Sequence, residues 1–134
     1  MSHLTSLVTQ LKDLEAIEAA AERAGLKLEG AGRVRIYGGS MVPAAHIIRV
    51  PDGYDLGFNL DPVSETYRLV TDSEALYAHD IGSNRGNLHY FGPGLARFFQ
   101  EAAAYSAERA GLAQGYTSSR EVAQDGSLVL TLRR

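Results

Sequence analysis

The sequence predicts an α+β domain built on a mainly antiparallel sheet with two helices on one face. Two segments repeat apolar residues at helical spacing, several others alternate apolar and polar residues with period two, and glycine- or proline-containing turns separate neighbouring strands. Two helices on one face is the expected layering for such a set of elements, and the opposite face then needs either solvent or a partner.

Leu4 to Leu11 reads as a short strand, with Leu7, Thr9 and Leu11 on one face and Val8 on the other. Asp13 caps a helix over 13–24, whose Leu14, Ile17, Ala20, Ala21 and Ala24 form one apolar stripe closed by Gly25. Arg33 to Tyr37 alternates until Gly38-Gly39 breaks it, and Ala45 to Val50 forms a further strand stopped by Pro51-Asp52-Gly53. The clearest strand runs from Tyr54 to Leu60, with Tyr54, Leu56, Phe58 and Leu60 on one face and Asp55, Gly57 and Asn59 on the other. Asp61 to Glu65 supplies a turn, and Tyr67 to Thr71 returns as the hairpin partner.

A second helix over 95–110 starts after Gly92-Pro93-Gly94, places Leu95, Phe98, Phe99, Ala102, Tyr105 and Ser106 on one stripe, and ends at Gly111. Spacings of three and four from Leu95 and Ala102 centre Phe98, not Phe99, on that stripe. The tail pairs 116–123 with 128–133 around Asp125-Gly126, a dipeptide suited to a tight hairpin. The predicted order is βα-ββββ-αββ. Ala21-Glu22-Arg23-Ala24-Gly25-Leu26 recurs as Ala107-Glu108-Arg109-Ala110-Gly111-Leu112, a weak internal echo. It fits either a duplication or the shared preferences of helix ends, where Ala, Glu and Arg favour helix and Gly caps it.

At 134 residues the chain is one domain, 1–134, long enough to bury a core unaided. A 45% hydrophobic and 22% charged composition matches a globular protein rather than a disordered one. The absence of cysteine removes disulfides, thiolate metal sites and a cysteine nucleophile. No basic leader precedes an apolar run and no segment is apolar enough to span a bilayer, so a cytoplasmic location without membrane attachment is expected. Thirteen basic residues against sixteen acidic ones, a net charge of −3, argue against binding along a phosphate backbone, so no nucleic acid partner is expected.

Catalytic signatures are missing. There is no Gly-x-Ser-x-Gly elbow, no phosphate-binding glycine loop and no dinucleotide fingerprint. The histidines His3, His46, His79 and His89, with Asp72 or Asp80, offer nitrogen and oxygen donors, but no pair has the spacing that holds two ligands on one element. No metal and no cofactor is assigned, and no catalytic residue. His46 shares a strand face with Ile48 and Val50 and reads as a partly buried core histidine. The stretch from Ser73 to Gly94 is long for a connection and shows little periodicity, while Ser83-Asn84-Arg85-Gly86-Asn87 is the densest run of hydrogen-bonding groups in the chain. His79, Asp80 and Arg85 are therefore candidate ligand-binding residues, with Arg85 offering a planar donor fork to an anion. The competing reading is a solvated surface loop. His3, held at the edge of the first strand, is a fourth candidate and would meet Asp55 or another carboxylate there; the alternative is a plain surface residue.

A set of segments in fixed order also resembles a known family: Met1-Ser2-His3-Leu4-Thr5, Lys12-Asp13-Leu14-Glu15-Ala16, Val34-Arg35, Gly53-Tyr54-Asp55-Leu56-Gly57-Phe58, Tyr67-Arg68-Leu69-Val70-Thr71-Asp72, and Glu121-Val122 with Asp125-Gly126-Ser127 and Leu130. Together they resemble domain-of-unknown-function family 1257, which includes a conserved hypothetical reading frame of plastids and cyanobacteria. The resemblance implies no catalytic residue and points to gene neighbourhoods encoding AAA-type ATPases. The chain departs from that family in having no Trp, with Ser73-Glu74-Ala75-Leu76-Tyr77 where the family runs into a Trp-containing segment.

Two functions of different class follow. The first is a non-catalytic protein-interaction or accessory module, with an AAA-type ATPase as the partner class or another copy of the chain as a homo-oligomer. The second is a small-ligand-binding or metal-dependent enzyme using the 73–94 loop.

Overall fold

The strand beginning near Tyr54 is the middle of the molecule, and its alternation of large and small residues decides what lies on either side. A computed structural model describes residues 4–125 and 127–134. In chain order it contains β1 (Leu4–Val8), α1 (Leu14–Arg23), β2 (Leu28–Glu29), β3 (Gly32–Arg35), β4 (Met41–Ala44), β5 (His46–Ile48), β6 (Leu56–Leu60), β7 (Tyr67–Asp72), α2 (Arg85–Phe91), α3 (Ala96–Ala113), β8 (Thr117–Val122) and β9 (Leu128–Arg133). Five strands form one antiparallel sheet in the order β1-β7-β6-β5-β2, while β3–β4 and β8–β9 are separate hairpins. The α+β class and the mainly antiparallel sheet are as predicted. Among the described residues no helix is long and apolar enough to cross a membrane.

On one face of the sheet, Leu56 and Phe58 join Ile48, Val50 and Leu69 under the helices. Ala16, Ile17, Ala20 and Ala21 come down from α1, and Phe98 and Ala102 from α3, into the same core. The Phe98 ring stacks on Phe58 and meets Phe91 edge-on, each at 5.5 Å between centroids. Phe99 is only half-buried at its rim, as the helical spacing predicts. Asp13 caps α1 by accepting the Glu15 N–H at 2.9 Å, and Gly25 leaves the helix at φ 81°.

The other face is closed by the chain itself. Gly57 presents no side chain, so the β3–β4 hairpin lies directly against β6: a Cβ at Gly57 would stand 2.5 Å from Val34 Cγ2 and 2.8 Å from Ala44 Cβ. Val34, Ala44 and Ile47 form a second, smaller core there. This corrects the expectation that the second face would be left to solvent or a partner, and it explains why Asp55 and Gly57, read as the polar face, are buried. Leu60, assigned to the apolar face, is exposed at the end of β6.

Three further expectations need correction. Six strands, not four, lie between α1 and the next helix, because β2 adds an edge to the sheet and the segment after Gly38-Gly39 folds back as β4. The stretch 73–94 is not irregular: it holds a 3-10 turn over Ser73–Leu76, then α2, then another over Pro93–Leu95. Its periodicity was hidden because α2 buries Gly86 and Asn87 along with Phe91. Finally, α3 runs past Gly111 to Ala113, and Gly115 at φ 86° follows it. Gly111 is small for packing, since a Cβ there would come within 3.1 Å of Leu132 Cδ2. The echoed hexapeptide thus ends α1 but lies inside α3, so its two copies are not structurally equivalent. The tail hairpin forms between β8 and β9 with Leu128 and Leu130 half-buried; Gly126 of its turn lies outside the described residues.

Phe98→Ala is expected to cost roughly 3 to 5 kcal/mol in chemical denaturation and Phe99→Ala less than half of that, because only the first empties the core. Gly57→Ala, which adds a single methyl, is expected to cost about 1 to 3 kcal/mol by forcing the hairpin off the sheet; an unchanged midpoint would show that the hairpin is not seated as described.

Candidate functional site

The loop singled out by its polar residues turns most of them inward. Asn87 acts as a surrogate strand for Tyr54: its Oδ1 accepts the Tyr54 N–H at 2.8 Å and its Nδ2 donates to the Tyr54 carbonyl at 2.9 Å. Gly86 packs so close to the 51–53 turn that a Cβ would fall 1.9 Å from the Pro51 carbonyl oxygen, and its N–H donates to Asp52 O at 2.6 Å. Asn84 Nδ2 donates to His79 O and its Oδ1 accepts the Ile81 N–H, both at 3.0 Å. The buried Glu74 carboxylate accepts from Ser83 Oγ at 2.6 Å and from the Tyr54 hydroxyl at 3.0 Å. Burial, with Ser83 opposing it and Glu74 and Asp72 assisting, raises the Tyr54 hydroxyl above its ordinary value.

The predicted ligand-binding residues sit outside this frame. Asp80 and Arg85 face each other at 3.6 Å with both side chains exposed, and the His79 ring stacks on Tyr77 at 5.8 Å. The structure therefore brings Asp80 and Arg85 together on the surface. His3 lies outside the described residues. His46 is half-buried edge-on to Tyr67, in keeping with a core histidine. Among the described residues no group of three His, Cys, Asp or Glu is placed to hold a metal ion.

A different constellation is the most highly organised charged group. Asp55 is fully buried, yet its carboxylate is gripped by two arginines. Arg35 donates through Nε to Oδ2 at 3.0 Å, through Nη2 to Oδ1 at 3.1 Å, and through its backbone N–H to Oδ2 at 3.1 Å. Arg49 Nη1 adds a bond to Oδ2 at 2.8 Å and another to Arg33 O at 2.6 Å. Burial alone would raise the Asp55 pKa, but the hydrogen bonds from Arg35 and Arg49 outweigh it and hold the carboxyl below its ordinary 3.8. Next to it, Thr71 Oγ1 donates to Asp55 O at 2.8 Å, and Asp72 accepts the N–H groups of Tyr37 and Glu74 at 2.7 and 2.9 Å. Sequence reasoning missed this group. Its signal was available: an Asp inside the clearest strand, and the Arg33-Val34-Arg35 alternation that puts two guanidiniums on one side of β3.

Several clefts lie along α3, and its two flanks differ in character. Between α1, α3 and β8 lies a cleft of about 620 Å³ lined by Glu22, Arg23, Tyr105 and an ionic network. There Arg120 bonds Glu101 at 2.6 Å and also Glu108, while Arg23 reaches Glu101 at 3.4 Å. Both of its arginines and two of its three glutamates are paired within the chain. The opposite flank is apolar: Leu7, Leu11, Phe99 and Ala103 line one hollow of about 360 Å³, and Ala103, Ala104, Ala107, Leu128 and Leu130 line the next, of about 300 Å³. Ala103 belongs to both, and they lie side by side as a mainly apolar trough between β1 and β9, with Thr9, Gln10 and Gln100 also in its lining.

Comparison with family models, with curated proteins and with solved structures finds no match to this chain.

Asp55→Asn is expected to cost about 2 to 3 kcal/mol at neutral pH, below the cost of breaking a fully buried pair because both arginines are partly exposed. Since the folded carboxyl titrates below its unfolded value, its contribution is complete above pH 3.8 and disappears as the pH falls through the lowered folded value. Denaturation midpoints measured down a pH series should thus converge for the two proteins in acid; a constant gap down to pH 2 would contradict the assignment.

Proposed function

We propose that the protein is a non-catalytic interaction module, an accessory subunit that holds an apolar segment of another protein in the trough beside α3. One observation carries this reading. The small side chains of Ala103, Ala104 and Ala107 form a floor between the walls made by Leu7, Leu11 and Phe99 on one side and Leu128 and Leu130 on the other. A concave apolar surface floored by alanines lets an incoming side chain approach the helix closely, and β1, at the edge of the five-stranded sheet, borders it. The family resemblance makes an AAA-type ATPase the partner class to test first, with the cytoplasm as the compartment; a second copy of the chain is the other protein that could fill the trough.

The enzyme reading through the 73–94 loop draws less support. Ser83, Asn84, Gly86 and Asn87 are engaged with their own chain, and His79, Asp80 and Arg85 line none of the clefts described above.

Ala103 is exposed on α3, so Ala103→Arg should fold normally while filling the trough with a charge. Tagged wild-type protein recovered from its own cells is expected to retain a partner that the variant loses about tenfold or more, a difference of at least ~1.4 kcal/mol, with melting temperatures within a few degrees of each other. Equal retention by both proteins, or recovery of the wild type alone and monomeric, overturns the proposal.

A further inference from the structure

The outer face of the β3–β4 hairpin lies across the sheet from the trough and carries an unbalanced charge. Arg35 and Arg49 meet there on a single carboxylate, that of Asp55, and Arg33 lies two residues from Arg35 on the same strand, its carbonyl accepting from Arg49. Arg33 makes no ion pair among the described residues; its carbonyl anchors Arg49, and its side chain is exposed. The next buried carboxylate, Asp72, is bound by the backbone N–H groups of Tyr37 and Glu74. The protein as a whole carries a net charge of −3, so this group of three arginines stands out against an acidic background.

Part of each guanidinium is already committed. Arg35 spends Nε and Nη2 on Asp55, and Arg49 spends Nη1, while Arg35 Nη1 and Arg49 Nη2 make no hydrogen bond among the described residues. Arg35 and Arg49 are 57% and 40% exposed, while the carboxylate that fixes them is 0% exposed. Two guanidiniums held from beneath by one buried anion lose little further freedom when a second anion arrives from outside. Tyr37 and Met41, 54% and 48% exposed, flank them on the same hairpin. Arg, Tyr and Met are the residues in which interface centres are enriched.

We propose that this face is a second docking surface, built to receive an acidic peptide segment of a protein partner. The carboxylates of that segment pair with the exposed guanidiniums of Arg33, Arg35 and Arg49, while Tyr37 and Met41 cover its apolar side. The face is open, which favours a segment of several charges over a single small anion competing with water. This surface is separate from the trough, and either can stand without the other.

The test follows the arginine Nε–Hε resonances of isotopically labelled protein during titration with a hexaglutamate peptide, and in a parallel arm with sodium phosphate at matched ionic strength. The peptide should shift the resonances of Arg33, Arg35 and Arg49 together, and the affinity should fall as salt is raised. Arg33→Gln, which leaves the Asp55 bonds intact, should weaken peptide binding about two- to fivefold, Arg33→Glu should weaken it further, and Ala103→Arg should leave it unchanged. Arg35→Lys retains the charge but loses the fork, and should also weaken binding without unfolding the protein. Unmoved resonances overturn the proposal. So does phosphate binding as tightly as the peptide, which would mark a small-anion site, or binding that Arg33→Glu leaves intact.

Discussion

The missing side chain at Gly57 is the constraint on which the rest of the structure depends. With hydrogen at that position, the β3–β4 hairpin can lie flat on β6 and close the second face of the sheet. That closure buries Asp55, and a buried carboxylate persists as an ion only when paired. The hairpin brings its own answer in Arg35, and β5 leads into Arg49. One absent methyl thus links the packing of a small hydrophobic cluster to the placement of two guanidiniums, and through them to the charge carried by an entire face.

Much of this was legible in the sequence where local chemistry and global fold agree. Helix α1 announces itself through Asp13, an unbroken apolar stripe and Gly25, and the β6–β7 hairpin through its alternation and the Asp61-Pro62 turn. Phe98 could be separated from Phe99 because helical spacing resolves a 100° difference in direction. What could not be read were elements whose buried residues are not apolar. Helix α2 buries Asn87 and Gly86 for a hydrogen-bonding fit to Tyr54 and the 51–53 turn, a relation between segments far apart in the chain that no window of sequence contains. Gly111 misled for a related reason: glycine marks helix ends and close approaches alike, and only the position of Leu132 tells which.

The candidate surfaces were less legible than the fold. The polar run at 83–87 looked like a ligand site because its composition is rich in donors and acceptors, yet composition does not reveal whether such groups face solvent or their own backbone. The trough beside α3 is made of alanines, which in sequence only signal helix propensity. The two flanks of α3 differ through what the partner strands bring: Arg120 of β8 pairs with Glu101 and Glu108 on one side, while Leu128 and Leu130 of β9 line the other.

Asn87 has a consequence of another kind. By bonding both backbone groups of Tyr54, its amide joins α2 to the strand entering the centre of the sheet, although the two are distant along the chain. Opening of the 73–94 segment therefore has to break the two hydrogen bonds to Tyr54. Either the segment detaches while breaking two hydrogen bonds at the sheet's own edge of order, or it unfolds with the sheet. A stretch that in outline is a surface connection is thereby tied to the core, and the Tyr54 amide should exchange slowly although no strand among the described residues pairs with it.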